Sequence, residues 1–357
     1  MEKQKRNFLD VIRKLPIESH TLLLIIILIL VIIFFSIVNA DKGFLSARSV
    51  NSMGIQLAEI GILAIAMMVT SLVGGINLSV NATANLGAVL SGYYLYKLFP
   101  PPPTGGIAAI FTQINMPESV DPFILVVALL IPLVVGVISG ILNGYLVGYI
   151  GVPPILATLA TMSLFTGLAA GLTKGRTITG FPTQFEFVAN QSLLGIPLPF
   201  LIFVVLTGIT FVLLNRTTFG FKMRMLGTNE VASRFSGINN KDVIMKTYIY
   251  SGFLSSIAGI IVMSRTMSAA YEYGATTYVL LTILIGVLAG IQGGFGNVIN
   301  IFISMLILQG LSTGFQMLLQ GVRGSAFFKD FSWGVLMLII FVINFFTRKS
   351  DRKSAKS

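Results

Sequence analysis

Long apolar stretches, separated by short polar ones, run through nearly the whole chain. The first, at residues 21–38, contains no charged residue and consists almost entirely of Leu, Ile, Val and Phe. Its length is about what a helix needs to cross the hydrocarbon core of a bilayer. Because a backbone in lipid must satisfy its own hydrogen bonds, such stretches predict helices rather than barrel strands. The apolar periodicity and its Gly and Pro breakers predict ten spans, at 20–39, 53–73, 79–98, 123–149, 155–173, 198–215, 246–264, 278–291, 297–317 and 331–347.

The predicted fold is therefore all-α, a polytopic transmembrane helical bundle of about ten spans. We expect a single membrane domain over residues 1–357, with the spanning region at 20–347. One long polar connection, at 216–245, interrupts it, and a connection of that length suggests a function of its own. The shortest predicted span, 278–291, adjoins a glycine-rich segment and is either a complete helix or a broken, re-entrant one.

Composition and charge agree with a membrane location. Only 10% of the residues are charged, 55% are hydrophobic and the mean hydropathy is +0.89, whereas soluble domains carry about 25% charged residues. The net charge of +11 does not indicate nucleic acid as a partner, because the basic residues cluster beside predicted spans. The positive-inside rule places both termini and the 216–245 connection in the cytoplasm, which an even number of spans allows. The clustered basic residues are Lys3, Lys5, Arg6, Arg13, Lys14, Arg216, Lys222, Arg224, Arg234, Lys241, Lys246, Arg348, Lys349, Arg352, Lys353 and Lys356.

Several kinds of chemistry are excluded by residues that the chain lacks. It has no cysteine and a single histidine, His20, which excludes thiolate chemistry, disulfides and multi-histidine metal sites. It has no G-x-x-x-x-G-K-[ST] phosphate-binding loop, so we do not expect this chain to hydrolyse ATP. We therefore expect no catalytic residue, no metal and no cofactor bound by the chain itself.

Polar side chains occur where predicted spans break. Residues 74–81 carry a double glycine followed by alternating Asn and Ser, and a further Asn comes one helical turn later. Neutral amide and hydroxyl groups suit the path of a neutral, hydroxyl-rich solute, but small and amide residues also join membrane helices to one another. Composition alone favours helix packing slightly, and the pathway interpretation stays open. The candidate pathway residues of this segment are Gly74, Gly75, Asn77, Ser79, Asn81 and Asn85.

Polar groups in other spans extend this set. Gln309, Thr313 and Gln316 lie on one face of the ninth predicted span, at helical spacing, and Asn143 and Thr158 lie in the fourth and fifth. Packing and pathway interpretations are about equally supported for the ninth-span residues.

A buried acidic residue would suggest ion coupling. The best candidate is Glu59 in the second predicted span. It lies one or two turns from the outer end of that span, so we expect it at the membrane interface.

The polar connection contains a short predicted helix at about 228–236, bounded by Gly227 and Gly237. Thr228 or Asn229 can cap its start, and Glu230 is favourable against the N-terminal helix dipole. A short rigid helix of this kind can dock in a groove of another protein. The alternative is a solvated loop that lies on the lipid headgroups.

This helix resembles the coupling helix of the ribose/galactose-type ABC importer permeases. The matching positions are Gly227, Asn229, Ala232, Gly237 and Ile238, and Glu230 lies among them. Residues 74–79 resemble the family's G-G-I-D-L-S segment, and 154–159 also fits. Asn77 stands where the family usually has Asp, Asn81 where it usually has Gly, and the acidic residue common near 278–281 is absent. Segments 180–182 and 194–199 look closer to autoinducer-2-type permeases.

The resemblance implies a transport subunit and not an enzyme. Two permease chains, identical or different, would pair around a central pathway in the bacterial cytoplasmic (inner) membrane. Separate ATPase subunits, which bind ATP and Mg²⁺, would grip the coupling helices, and an extracytoplasmic binding protein would deliver a pentose, a hexose or a related solute such as autoinducer-2. The alternative is an ion-coupled secondary transporter of a small polar solute. An intramembrane enzyme is disfavoured because the chain has no cysteine and no second histidine.

Overall fold

The computed structural model describes residues 19–100, 112–113, 120–193, 195–321, 331 and 333–335. Its helices are α1 (Ser19–Val38), α2 (Ala47–Leu72), α3 (Val80–Leu98), α4 (Pro122–Tyr145), α5 (Pro154–Thr173), α6 (Glu186–Asn190), α7 (Leu198–Arg216), α8 (Thr218–Thr228), α9 (Glu230–Phe235), α10 (Asn240–Thr266), α11 (Ala275–Leu288) and α12 (Val298–Leu318). A π-helix, Leu146–Ile150, extends α4.

In the part of the chain that the structure describes, five two-residue strands lie in the connections between helices. They are β1 (Thr112–Gln113), β2 (Ile178–Thr179), β3 (Ser192–Leu193), β4 (Ile196–Pro197) and β5 (Ser268–Ala269). In one sheet β2 lies between β1, which is parallel to it, and β5, which is antiparallel, while β3 and β4 form an antiparallel pair.

In the described residues, seven helices are long and apolar enough to cross a membrane: α1, α2, α4, α5, α7, α10 and α12. The helical class and the membrane location are therefore confirmed. The tenth predicted span, 331–347, lies almost entirely outside the described residues, so the count of about ten and the cytoplasmic location of both termini stay predictions. The doubtful 278–291 span is the 14-residue helix α11. At about 1.5 Å per residue α11 is shorter than the hydrocarbon core.

Peripheral helices expose apolar side chains on a continuous face. Helix α1 has a mean hydropathy of 3.5, yet only 17% of the residues in its most apolar stretch are buried against the protein. On α4, large exposed side chains recur every three or four residues at Phe123, Val126, Leu130 and Val134. An apolar face of this size is stable only against lipid or another protein. These helices therefore form the outer shell of the bundle, which lipid or a partner chain covers.

Helices α2 and α10 form the centre of the bundle, and α10 packs closely against α4. A glycine recurs at every fourth position of α4 and its extension, beginning with Gly136 and Gly140. A Cβ atom on Gly136 would lie 2.3 Å from the carbonyl oxygen of Gly252, and one on Gly140 would lie 2.5 Å from that of Tyr248. These glycines let the two backbones touch, as small residues do between membrane helices.

The polar 216–245 connection is helical rather than a long loop, which corrects the expectation from sequence. Thr217 caps α8 by accepting a hydrogen bond from the Gly220 N–H at 3.2 Å. Met223 and Leu226 of α8 are buried, so this helix has an apolar side that packs on the bundle. The connection therefore forms a folded surface, and α10 begins at Asn240, six residues before the predicted span.

Candidate translocation pathway and coupling surface

The segment between α2 and α3 is a break in the helical bundle. Helix α2 ends at Leu72, Gly74 adopts a left-handed φ of 85°, and α3 begins only at Val80. The Asn77 side chain donates to Ser251 Oγ of α10 at 3.1 Å and accepts from Ser79 Oγ at 2.7 Å. Ser251 lies near the middle of the long helix α10, so the break lies deep in the bundle. Discontinuous helices at this depth commonly form the binding sites of transporters.

A chain of buried hydrogen bonds holds this break against the neighbouring helices. Asn143 Nδ2 of α4 donates to Ser79 Oγ at 2.9 Å, and Asn143 Oδ1 accepts from Thr161 Oγ1 of α5 at 2.7 Å. Thr158 Oγ1 lies 3.0 Å from the Ile76 carbonyl oxygen. The structure thus brings together Asn77, Ser79, Asn143 and Thr158, which the sequence singled out. Asn77, Ser79 and Asn143 bond to one another, and Thr158 bonds to the backbone beside Asn77. Satisfied networks of this kind fix local geometry.

Asn81 and Asn85 line a different place, a cavity beside the first residues of α11 that is called the outer cavity after the predicted orientation of the chain. This cavity of about 460 Å³ is lined by both asparagines, by Ser163 and Thr166 of α5, and by Thr276 of α11. Tyr271 and Glu272, in the connection before α11, complete its polar lining. The mixture of amides, hydroxyls and one carboxylate can form hydrogen bonds with a small hydroxylated solute.

A second cavity, called the inner cavity, lies along α11 toward the end of that helix farther from Thr276. It has a volume of about 360 Å³ and is lined by Gly74, Gly75 and Ile76 together with Ile283 and Gly286 of α11. Helix α11 therefore lines both cavities. It contributes the hydroxyl group of Thr276 to the outer cavity and Ile283 and Gly286 to the inner cavity. Gly74 and Gly75 also line a third cavity of about 400 Å³, beside the start of α9.

The polar residues of the ninth predicted span lie elsewhere. Gln309 is buried, and its Nε2 donates to Gln56 Oε1 of α2 at 3.3 Å and to Thr313 Oγ1 at 3.2 Å. Gln316 is exposed. None of Gln309, Thr313 and Gln316 lines the three cavities described above, so the structure joins Gln309 and Thr313 to α2 and does not bring them to Asn81.

Glu59 is buried within the bundle, and its position relative to the membrane interface stays a prediction. Its side chain is 2% exposed and forms an ion pair with Arg265 of α10, at 3.2 and 3.0 Å. Tyr278 of α11 donates its hydroxyl proton to the same carboxylate at 2.7 Å. Helix α2 begins at Ala47, so about three turns precede Glu59 and carry it into the bundle. Arg265 meets it because α10 continues to Thr266, beyond the predicted end of that span.

Helix α9 presents an exposed surface, with the start that the sequence predicted. Asn229 Oδ1 caps it by accepting from the Ala232 N–H at 2.9 Å. Two apolar side chains, one turn apart, face away from the protein: Val231 is 61% exposed and Phe235 is 89% exposed. Sequence reasoning overlooked both, although exposed apolar residues at i and i+4 were a usable signal of a docking face.

Gly227 joins this surface to the interior through backbone contacts. The Gly294 N–H donates to the Leu72 carbonyl oxygen at 2.8 Å, which ties the end of α2 to the turn before α12. A Cβ atom on Gly227 would lie 1.8 Å from that oxygen and 2.4 Å from the Gly294 nitrogen. Only glycine fits there, so the end of α8 lies directly against both segments.

Comparison with known families decides what kind of protein carries these features. Residues 49–343 match the family described as branched-chain amino acid transport system / permease component. The chain belongs to this permease family. It is a multi-pass permease of the bacterial inner membrane, and its resemblance to sugar ABC importer permeases is confirmed.

Individual relatives carry more specific names. The ribose import permease protein RbsC of Bacillus subtilis is 34% identical over 87% of this chain and 88% of its own length. The protein of the same name from Haemophilus influenzae is 31% identical over 79% and 81%. The autoinducer 2 import system permease protein LsrD of Yersinia enterocolitica is 30% identical over 72% and 73%. No solved structure matches the chain.

Proposed function

We propose that this permease is the membrane subunit of an ABC importer for a simple sugar, a pentose, a hexose or a related solute such as autoinducer 2. ATP is hydrolysed by a separate subunit. The relatives named for ribose and autoinducer 2 import support the solute class. The observation that carries the ATPase partnership is α9, a capped helix with Phe235 89% exposed. Exposed aromatic side chains of this kind are typical anchors of protein interfaces.

The geometry suggests how force from ATP hydrolysis reaches the pathway. Closure of the ATPase subunits displaces α9 and the end of α8. Gly227 lies against the Leu72 carbonyl and Gly294 with no side chain between them, and packed interiors transmit such displacements rather than absorbing them. Movement at Leu72 reaches Gly74 and Gly75, which line the inner cavity. The inner end of the pathway therefore changes shape when α9 moves.

The importer requires three kinds of partner besides lipid. A second permease chain, identical or homologous, faces the first so that two sets of cavities form one pathway. Two ATPase subunits bind the α9 surfaces, and a solute-binding protein delivers solute at the opposite face. In this scheme the residues at α9 are Gly227, Asn229, Glu230, Ala232, Gly237 and Ile238. We add Val231 and Phe235 to the proposed surface because both are exposed.

An ion-coupled secondary transporter is the second candidate, and Glu59 is the observation in its favour. Among the residues that the structure describes, Glu59 is the one buried acidic side chain. Its charge is neutralised by Arg265 at 3.0 Å. A carboxylate held by a guanidinium favours its charged form and is poorly suited to exchanging a proton or a sodium ion. The pairing therefore favours the ABC importer.

Replacing Phe235 by Ala tests the docking surface. We expect affinity for the ATPase subunit to fall by about 10- to 30-fold, because the largest exposed apolar group of the surface is lost. The measurement is the dissociation constant of the purified permease and ATPase subunit, in detergent or nanodiscs.

Phe187→Ala is the matched control, since Phe187 is also exposed (61%) but lies on α6, far from α9 along the chain. Its dissociation constant should equal that of the unaltered chain. Equal affinity of the Phe235→Ala protein would remove α9 as the docking surface.

A further inference from the structure

A partly buried cluster of four side chains, with Glu59 fully buried at its centre, joins three helices near the outer cavity. This ion-pair cluster consists of Glu59, Arg265, Tyr273 and Tyr278. Arg265 bonds to Glu59 through two nitrogens, and Tyr278 donates to Glu59 at 2.7 Å. Arg265 also donates to the hydroxyl oxygen of Tyr273. Burial, and after it the charge of Glu59, raise the pKa of the Tyr273 phenol, which therefore stays neutral. The cluster fixes Tyr273 to α2 and α10.

The backbone of Tyr273 reaches the other way, to α3. Its carbonyl oxygen accepts from Asn81 Nδ2 and from Asn85 Nδ2, both at 2.9 Å. The Tyr271 and Ala275 carbonyls each accept one further bond from these amides, at 3.2 Å. Tyr273 thus connects the ion-pair cluster with the two asparagines that line the outer cavity.

This arrangement sets which atoms the asparagines offer to a solute. Asn81 and Asn85 lie one helical turn apart on one face of α3. Their N–H groups point at the 271–275 backbone, and no described residue hydrogen-bonds their Oδ1 atoms. Both asparagines line the cavity of about 460 Å³, so their two Oδ1 atoms are the acceptors that these side chains have left for a solute. Acceptors held in a fixed pair recognise adjacent hydroxyl donors, and such convergent polar groups fix the orientation of small ligands.

The backbone around Tyr273 is held in uncommon conformations. Gly274 has a φ of 67°, Ala275 a φ of 32° and Met267 a φ of 48°. The last two carry a Cβ atom and rarely adopt such values. Conformations of this kind persist only where the surroundings over-determine them, and they concentrate at functional sites. The ion-pair cluster supplies that constraint on one side of the 267–275 connection.

We propose that Tyr273 is a positioning residue for solute recognition: anchored by the ion-pair cluster, it orients Asn81 and Asn85 as paired acceptors for adjacent hydroxyl groups of a sugar-like solute in the outer cavity. The inference rests on the proposed function for the direction of transport and deepens it by assigning the recognition site. It also gives the buried ion pair a role other than ion coupling.

A single-cysteine reporter can test the site, because the chain has no native cysteine. Thr276→Cys places a thiol at the outer cavity of the permease–ATPase complex, and its rate of reaction with a membrane-impermeant maleimide is measured against increasing D-ribose. We expect ribose to slow labelling. Half-protection is the ribose concentration that halves the labelling rate. In Tyr273→Phe, which lacks the hydroxyl that Arg265 holds, this concentration should rise about tenfold, the effect of one lost bond to a charged group.

Two controls separate positioning from general damage. Tyr250→Phe removes a partly buried tyrosine hydroxyl from α10. This hydroxyl bonds to Thr210 at 2.8 Å, and Tyr250 does not line the outer cavity, so half-protection should stay unchanged. A Ser236→Cys reporter beside α9 should show no protection by ribose. Asn85→Asp, which keeps the shape but cannot donate to the Tyr273 carbonyl, should weaken protection as Tyr273→Phe does and provides a second test if that variant fails to fold.

Equal half-protection in Tyr273→Phe and in the Thr276→Cys parent would overturn the positioning role, as would an equal shift in Tyr250→Phe. No protection in the parent would overturn the site itself. ATP-dependent uptake by the same complex would still support the proposed function, so the two failures are distinguishable.

Discussion

At the scale of single residues, burial changes the meaning of polar side chains that look alike in the sequence. Asn77 and Asn81 are four positions apart, yet Asn77 bonds within the packed interior and Asn81 lines a cavity. The neutral Asn77 donates to Ser251 and accepts from Ser79. A carboxylate at this position could accept hydrogen bonds but could not donate one to Ser251. The amide therefore suits the site and avoids a buried charge.

Gly227→Ala tests the backbone contact that carries force in the proposed mechanism. A single added methyl group would lie 1.8 Å from the Leu72 oxygen, so α8 must move away at a cost of about 1–3 kcal/mol. We expect solute imported per ATP hydrolysed to fall, measured by parallel uptake and phosphate release in proteoliposomes. Gly171→Ala is the control, because nothing lies within 4 Å of its added Cβ. Unchanged coupling in Gly227→Ala would contradict the mechanism.

At the scale of helices, periodicity predicted most of the elements, but not how closely they pack. The apolar stretches located α1, α4, α5 and α7 well, because lipid-facing helices are apolar over most of their surface. The contact between Glu59 and Arg265 could not be predicted, because the two residues meet only through the packing of α2 against α10. The helix α8 was missed because its short amphipathic pattern lies within a stretch rich in basic residues.

Gly140→Val tests the packing of α4 against α10. The valine Cβ would lie 2.5 Å from the Tyr248 carbonyl oxygen, and the two backbones must separate. We expect a loss of stability of at least about 1–3 kcal/mol, measured as a lower midpoint of thermal unfolding in detergent. Gly208→Val on α7 is matched in chemistry and has open space around its Cβ, so its midpoint should stay the same. An equal midpoint for Gly140→Val would show that the helices are not in contact at this position.

At the scale of the whole molecule, the proposed route for the solute passes three sites in turn. The ion-pair cluster and outer cavity come first, the hydrogen-bonded break at Asn77 comes next, and the glycine contacts beneath α9 come last. The sequence predicted the break and the helix that begins near Asn229. It could not predict the ion-pair cluster, because four residues from three helices and a turn converge only in the folded chain. The family assignment agrees with a route of this kind.

The most direct test of the account is solute uptake in proteoliposomes that contain the permease, its ATPase subunit and its binding protein. With ribose and with autoinducer 2 as solutes, we expect uptake that requires ATP at the α9 side and the binding protein at the other. The permease alone, under a proton or sodium gradient, should import neither solute. Robust gradient-driven uptake by the permease alone, with no effect of ATP on the full complex, would contradict the central claim.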